Sequence, residues 1–221
     1  DLAGNTSTWV DAFFIRKDVL APPVPSLVSP ADLTITSYTT ITFSWSSVSD
    51  THSGTDGYEI YVSTDQYFSV FTSSGFTQDE SCGYNLAEGL YYWRVRAKDN
   101  AGNYSNWSST WSLTISTQVP STPQLLSPED GTITNNQQPS FDWTDSTDPV
   151  GISNYEFQIS TDEYSVILEN QAFPTTSYYS QPLTLNSQLY YWRVRAKNNA
   201  GVWSNYSSTY SITIDTIVPT I

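Results

Sequence analysis

The side chains with the widest chemical reach in this sequence are its acids, 22 Asp and Glu against 8 Lys and Arg, for a net charge of −14 over 221 residues. Adjacent carboxylates such as Asp79-Glu80 and Asp162-Glu163 are the type that general acid–base catalysis uses. Asp142, Asp145 and Asp148, clustered around the turn that follows Trp143, are hard oxygen donors of the kind calcium takes. An acidic chain produces such neighbours by composition alone, however, and only Asp148 has an acidic counterpart, Asp50, in the other half of the sequence. A solvated acidic loop is the expectation there, with calcium as the alternative and no other cofactor. The single histidine, His52, lies in a polar stretch and has no equivalent elsewhere. There is no GxSxG, HExxH, phosphate-cradling glycine loop or Cys/His constellation. One cysteine, Cys82, excludes an internal disulfide, a four-cysteine metal site and a CxxC pair, and reads as a small buried apolar group. The residue inventory therefore points away from an enzyme.

Charge narrows the partners. A net negative chain lacks the basic face that displaces counterions from nucleic acid and is repelled by an anionic membrane surface. No apolar run is long enough to span a bilayer, and no signal peptide is visible. An extracellular or cell-surface setting suits the acidic, hydroxyl-rich composition.

The octapeptide YYWRVRAK occurs at 91–98 and again at 190–197, and the flanking sequence repeats in step. Phe43 and Trp45 pair with Phe141 and Trp143, and Tyr58 to Asp65 with Tyr155 to Asp162. DLAGN at the start matches DNAGN at 99–103 and NNAGV at 198–202. Self-similarity at a fixed period marks a modular array. The layout expected is the end of a preceding repeat at 1–18, whole repeats at 19–117 and 118–215, and a linker at 216–221.

Within each repeat apolar residues recur at every second position, which places them on one face of a strand. The sets are Ile41, Phe43 and Trp45; Tyr58, Ile60 and Val62; Tyr91, Trp93, Val95 and Ala97; and Trp111, Leu113 and Ile115. The second repeat answers with Phe141 and Trp143; Tyr155, Phe157 and Ile159; Tyr190, Trp192, Val194 and Ala196; and Tyr210, Ile212 and Ile214. Gly, Pro, Asp and Ser clusters separate the sets. Short strands with one buried face specify an all-β fold, two antiparallel sheets packed as a sandwich, with seven strands in each repeat.

These residues resemble the fibronectin type III family and the similar immunoglobulin-like repeats of prokaryotic surface proteins. The resemblance covers 22–215 and rests on Trp45 and Trp143 ending the second strand, on GYEIYVS and NYEFQIS, and on a corner Leu86…Tyr91 and Leu185…Tyr190. It implies that each corner tyrosine bonds nearby backbone through its hydroxyl. The corner is one residue short of the usual fibronectin form, and Gln188 stands where the first repeat has Gly89, which favours the prokaryotic subtype.

Alternation also places Arg94 and Arg96, and Arg193 and Arg195, on the outer face beside NYSNWSSTWS and its counterpart. Arginine stacks on aromatic faces, so a ladder of Arg94 and Arg96 on Trp107, and of Arg193 and Arg195 on Tyr206, is expected. It is similar to the Trp-Arg ladder of cytokine receptors, with WSSTWS in place of WSxWS. The same turns offer Tyr104, Trp107, Trp203 and Tyr206 as stacking partners for sugars or as contacts between modules. Four glycosylation sequons begin at Asn5, Asn103, Asn106 and Asn205.

Glycine-free, proline-studded linkers at 19–25 and 117–123 favour semi-rigid extended chain. The leading expectation is thus a structural spacer or stalk in a long extracellular surface, appendage or filament protein, whose partners are neighbouring repeats or identical subunits. The alternative is a glycan- or partner-binding adhesin module, or an accessory domain of a secreted carbohydrate-active enzyme. Residues 1–18, with Phe13 and Ile15 in the registers of Trp111 and Leu113, read as a boundary artefact; a donor strand for a neighbouring subunit is the alternative.

Overall fold

The computed structural model describes residues 17–218. Asn5 and the strand expected around Phe13 and Ile15 lie outside the described residues. In the first repeat the strands are β1 (Leu27–Ser29), β2 (Thr34–Thr36), β3 (Thr40–Trp45), β4 (Thr55–Ser63), β5 (Ser73–Thr77), β6 (Ser81–Asn85), β7 (Gly89–Asp99) and β8 (Trp111–Ile115). They form a three-stranded sheet, β1-β3-β6, and a five-stranded sheet, β2-β8-β7-β4-β5. The second repeat reproduces the pattern with β9 (Leu125–Ser127), β10 (Thr132–Thr134), β11 (Ser140–Trp143), β12 (Ile152–Ser160), β13 (Leu168–Ala172), β14 (Tyr178–Ser180), β15 (Leu189–Asn198) and β16 (Tyr210–Ile214). Its sheets run β9-β11-β14 and β10-β16-β15-β12-β13.

The expected all-β sandwich is present, with two corrections of detail. Each repeat has eight strand segments where seven were expected, because the first strand is divided at a proline, which has no N–H for the ladder. The Ser29–Pro30 and Ser127–Pro128 peptides are both cis. Before the proline the chain pairs antiparallel with β3 or β11; after it the chain joins the other sheet and pairs parallel with the last strand. The five-stranded sheets are therefore mixed, Thr34 facing Leu113 and Thr132 facing Ile212.

The two sheets meet through aromatic rings. Phe43 of the small sheet contacts Trp93 of the large one edge-on with ring centroids 4.9 Å apart, and Phe141 meets Trp192 at the same separation. All four rings are fully buried. Trp45 and Trp143 pack edge-on against Tyr58 and Tyr155, each at 5.6 Å. Such rings each remove on the order of 150–250 Å² from water, and edge-to-face pairing adds about 0.5–1.5 kcal/mol. The corner tyrosines close the same end of each core: Tyr190 Oη accepts from the Asn186 N–H at 3.0 Å and from Gln188 Nε2 at 2.9 Å. Gln188 thus has a partner in the corner that Gly89 cannot supply in the first repeat.

Cys82 corrects a second expectation. It lies on β6 at the edge of the small sheet and is only half-buried, since an edge strand has a neighbour on one side alone. Burial still raises its thiol, against a hydrogen bond with Tyr84 that lowers it.

The turn into β2 shows how the two copies diverge. Leu33 holds a left-handed φ of 62° with its side chain exposed, whereas Gly131 takes the same position at φ 77°. An L-residue is disfavoured there by roughly 1–2 kcal/mol, and glycine is not. Leu33→Gly is expected to stabilise the first repeat by about 0.5–1 kcal/mol after allowing for the added freedom of the unfolded chain. Urea unfolding followed by circular dichroism checks this; an unchanged or lower midpoint would mean the turn is not limiting.

Candidate functional site

Cross-strand register builds the outer face of the large sheet. Arg94 and Arg96 on β7 face Tyr61 and Glu59 on β4, while Arg193 and Arg195 on β15 face Gln158 and Glu156 on β12. The segment after β7 then lies alongside it in an unusual way. Ser105 N–H donates to the Ala97 carbonyl at 2.9 Å and Ser105 Oγ accepts the Ala97 N–H at 2.9 Å; Ser108 treats Val95 the same way. Ser204 and Ser207 repeat the arrangement with Ala196 and Val194. Serine hydroxyls thus take the place of backbone acceptors for Val95 and Ala97, and for Val194 and Ala196, with the two serines of each segment three residues apart.

That spacing fixes the aromatics. Tyr104 and Trp107, one residue before each serine, turn their faces to the arginines. Arg94 lies 4.5 Å from the Trp107 centroid and Arg96 4.6 Å, with Arg96 also 4.1 Å from Tyr104. In the second repeat Arg193 sits 4.0 Å from Tyr206, and Arg195 lies 4.5 Å from both Tyr206 and Trp203. Trp107 carries Tyr61 as well, at 4.4 Å. The four aromatics are therefore stacked against guanidinium groups of their own sheet.

The two ladders differ where their facing residues differ. Arg94 is covered by Phe68 at 4.0 Å, its Nε has no hydrogen-bond partner, and burial lowers its basicity. Arg193 has Gln158 Oε1 as acceptor at 3.0 and 2.9 Å. Arg96 and Arg195 each grip a glutamate, Glu59 and Glu156, at 2.5 Å. Burial alone would raise the Glu156 carboxyl; hydrogen bonds from Arg195, Gln171 and Gln158 outweigh it and hold the group below the ordinary carboxylate range. Burial is also what raises the Tyr61 and Tyr206 hydroxyls.

The sequons separate. Asn106 and Asn205 are exposed, but Asn103 is half-buried with its amide committed to Asp99 Oδ2 at 2.7 Å and to the Leu20 carbonyl at 3.1 Å. The acids separate too. Asp148 accepts from Val150 N–H and Asn198 Nδ2 and does not converge with Asp142 and Asp145. Among the described residues the three acids whose ligand atoms do converge, all within 4.8 Å of one another, are Asp18, Asp50 and Asp99. The sequence reading named Asp50 as a counterpart and missed the other two, which come from a linker and from the end of β7.

Residues 31–117 match the family model of the Rha78A-like, N-terminal immunoglobulin domain. Among solved structures, the fibronectin(III)-like modules of Clostridium thermocellum CbhA superpose with a TM-score of 0.58 at 16% identity, covering 89% of this chain and 98% of that one. The chain therefore folds as a tandem of fibronectin type III-like, immunoglobulin-like repeats. The FN1–FN3 domains of chicken CNTN1 share the fold at a TM-score of 0.51 and 16% identity, over 89% of this chain and 66% of theirs. In sequence the tandem is 30% identical to exoglucanase B of Cellulomonas fimi over 98% of its length, and 28% identical to chitinase A1 of Niallia circulans over 88%. It spans 19% and 26% of the length of those two proteins.

Acid should loosen both fibronectin type III-like repeats. Asp65 and Asp162 are held below the ordinary range chiefly by N–H groups of the loops they organise, from Tyr67 and Ser69 and from Ile167 and Val166 respectively. A carboxylate depressed in the folded state stabilises above its unfolded pKa of about 4 and loses that contribution as pH falls through the folded value. The urea midpoint is expected to fall as the pH drops below about 4, and the Asp65→Asn, Asp162→Asn double variant should show a lower midpoint at pH 7 with a flatter acid limb. Equal slopes in both proteins would remove these carboxylates from the account.

Proposed function

We propose that this chain is a non-catalytic accessory region of a secreted carbohydrate-active enzyme, acting as a folded spacer. The supporting observation is the state of the outer-face aromatics: the rings of Trp107 and Tyr206 lie against two arginines each, so the surface best suited to sugar stacking is engaged within its own repeat. Similarity over nearly the whole chain to parts of an exoglucanase and a chitinase favours this accessory reading over the surface-filament spacer that the sequence first suggests. An extracellular location follows from the same reading. Proline-studded linkers without glycine suit a spacer that holds its neighbours apart.

The test uses the parent enzyme with residues 19–215 replaced by a Gly-Ser linker of equal length. Hydrolysis of insoluble polysaccharide is expected to fall several-fold while turnover of a soluble oligosaccharide is unchanged. Equal loss on both substrates would assign the repeats to catalysis or to folding of the catalytic domain. In the isolated chain, Trp107→Ala and Trp203→Ala should lower stability by about 1–3 kcal/mol, as loss of a stacked ring does, without creating or removing sedimentation with cellulose or chitin. Sedimentation that disappears with either ring would instead make the turns a glycan site.

A further inference from the structure

We propose that the loops joining β4 to β5 and β12 to β13 are two copies of one binding site, for a neutral, extended polysaccharide whose sugar rings stack on Tyr67 and Tyr164. Both rings face water, at 77% and 78% exposure. Each is held there by a loop fixed through its own backbone. Asp65 accepts the N–H groups of Tyr67 and Ser69 at 3.0 and 2.8 Å, and Asp162 accepts those of Tyr164, Val166 and Ile167 at 3.0, 3.1 and 2.8 Å. The residue after the tyrosine takes a left-handed φ in both loops, 58° at Phe68 and 57° at Ser165. In the first repeat Phe68 turns inward onto Arg94 and is buried, which leaves Tyr67 outside. A tyrosine on a fixed support offers a large amphipathic face and loses little freedom when a ligand covers it.

The tyrosines have apolar company. Val70 and Ile167, in equivalent positions, are 64% and 63% exposed, and Phe71 and Leu168 beside them are exposed as well. The anchoring residue differs between the copies, Phe68 against Ser165, while the outward ones stay apolar. Adjacent apolar side chains held in water mark a contact surface more than scattered exposure does. Charge selects the occupant. No Lys or Arg occurs in 64–77 or 161–174, and the chain carries −14, so nucleic acid, anionic lipid and acidic glycans are repelled. A neutral β-linked glycan presents C–H faces to the rings and aliphatic side chains, and rim hydroxyls to the exposed Gln66 and Glu163, again equivalent positions. The same site twice in one chain matches a ligand that itself repeats, since two linked modest sites raise the overall affinity by about a hundredfold or more. These rings are distinct from Trp107 and Tyr206, which the arginines occupy. The choice of polymer rests on the accessory reading, to which this adds a direct contact with the insoluble substrate.

Co-sedimentation of the chain with regenerated amorphous cellulose and with colloidal chitin is expected to deplete it from solution on at least one of the two, under conditions where serum albumin stays behind. Tyr67→Ala and Tyr164→Ala should each weaken binding about fivefold or more, because each leaves a single site, and the double variant should bind no better than albumin. Circular dichroism and the urea midpoint should match the unsubstituted chain, since both rings lie outside the core. Undiminished sedimentation of the folded double variant would overturn the proposal, as would no sedimentation on either polymer. A monomer–dimer equilibrium in sedimentation velocity that the double variant abolishes would also overturn it, by making the patch an interface between copies. The accessory reading fails separately, if the Gly-Ser replacement leaves hydrolysis of insoluble polysaccharide unchanged while the tyrosines still bind it.

Discussion

The contact on which both repeats rest is the edge-on packing of one phenylalanine from the small sheet against one tryptophan from the large sheet, Phe43 on Trp93 and Phe141 on Trp192. A sheet has no stability alone in water; it must bury a face against another layer. The tryptophan sits in the middle of the longest strand, so fixing it inward fixes the facing of all its neighbours. Val95 and Ala97 follow it into the core, and Arg94, Arg96 and Lys98 are directed out.

The outer face follows from that inner one. Two or three cations in alternate positions on one strand repel each other unless something screens them, and the chain lays an aromatic segment over them. Serine hydroxyls hold that segment to the strand, which frees its tyrosine and tryptophan side chains to stack. Where the first repeat uses Tyr61 and Phe68 to enclose Arg94, the second uses Gln158 to hydrogen-bond Arg193. One geometry is thus satisfied by two chemistries, and in both the arginines serve the sheet.

The parts legible in the sequence are those governed by a local period. Alternation in β3, β4, β7 and their copies marked the core, because the inward face is fully buried while the outward face carries polar side chains, even on β12, where Glu156 and Gln158 are buried too. The edge strands β5, β6, β13 and β14 escaped, since an edge half-buries residues such as Cys82 and Tyr84 and blurs the alternation. The parallel pairing of β2 with β8 was invisible because it follows from where the chain goes after Pro30, which no periodicity encodes. The three converging acids were illegible for the same reason: Asp18, Asp50 and Asp99 share no motif, and only the folded turns bring them together. Conversely, Asn103 carries a clean sequon, yet its amide is spent on Asp99 and the linker.

The most direct test of the central claim is residue-resolved hydrogen exchange on the full chain carrying Trp93→Ala. Removing a fully buried tryptophan is expected to destabilise its sandwich by about 3–5 kcal/mol. Amides of β3, β4 and β7 should lose protection together, while those of β11, β12 and β15 keep theirs. Protection in the first repeat that falls by less than about 1 kcal/mol would contradict the account, since the inter-sheet aromatic contact could not then be what holds the two layers together.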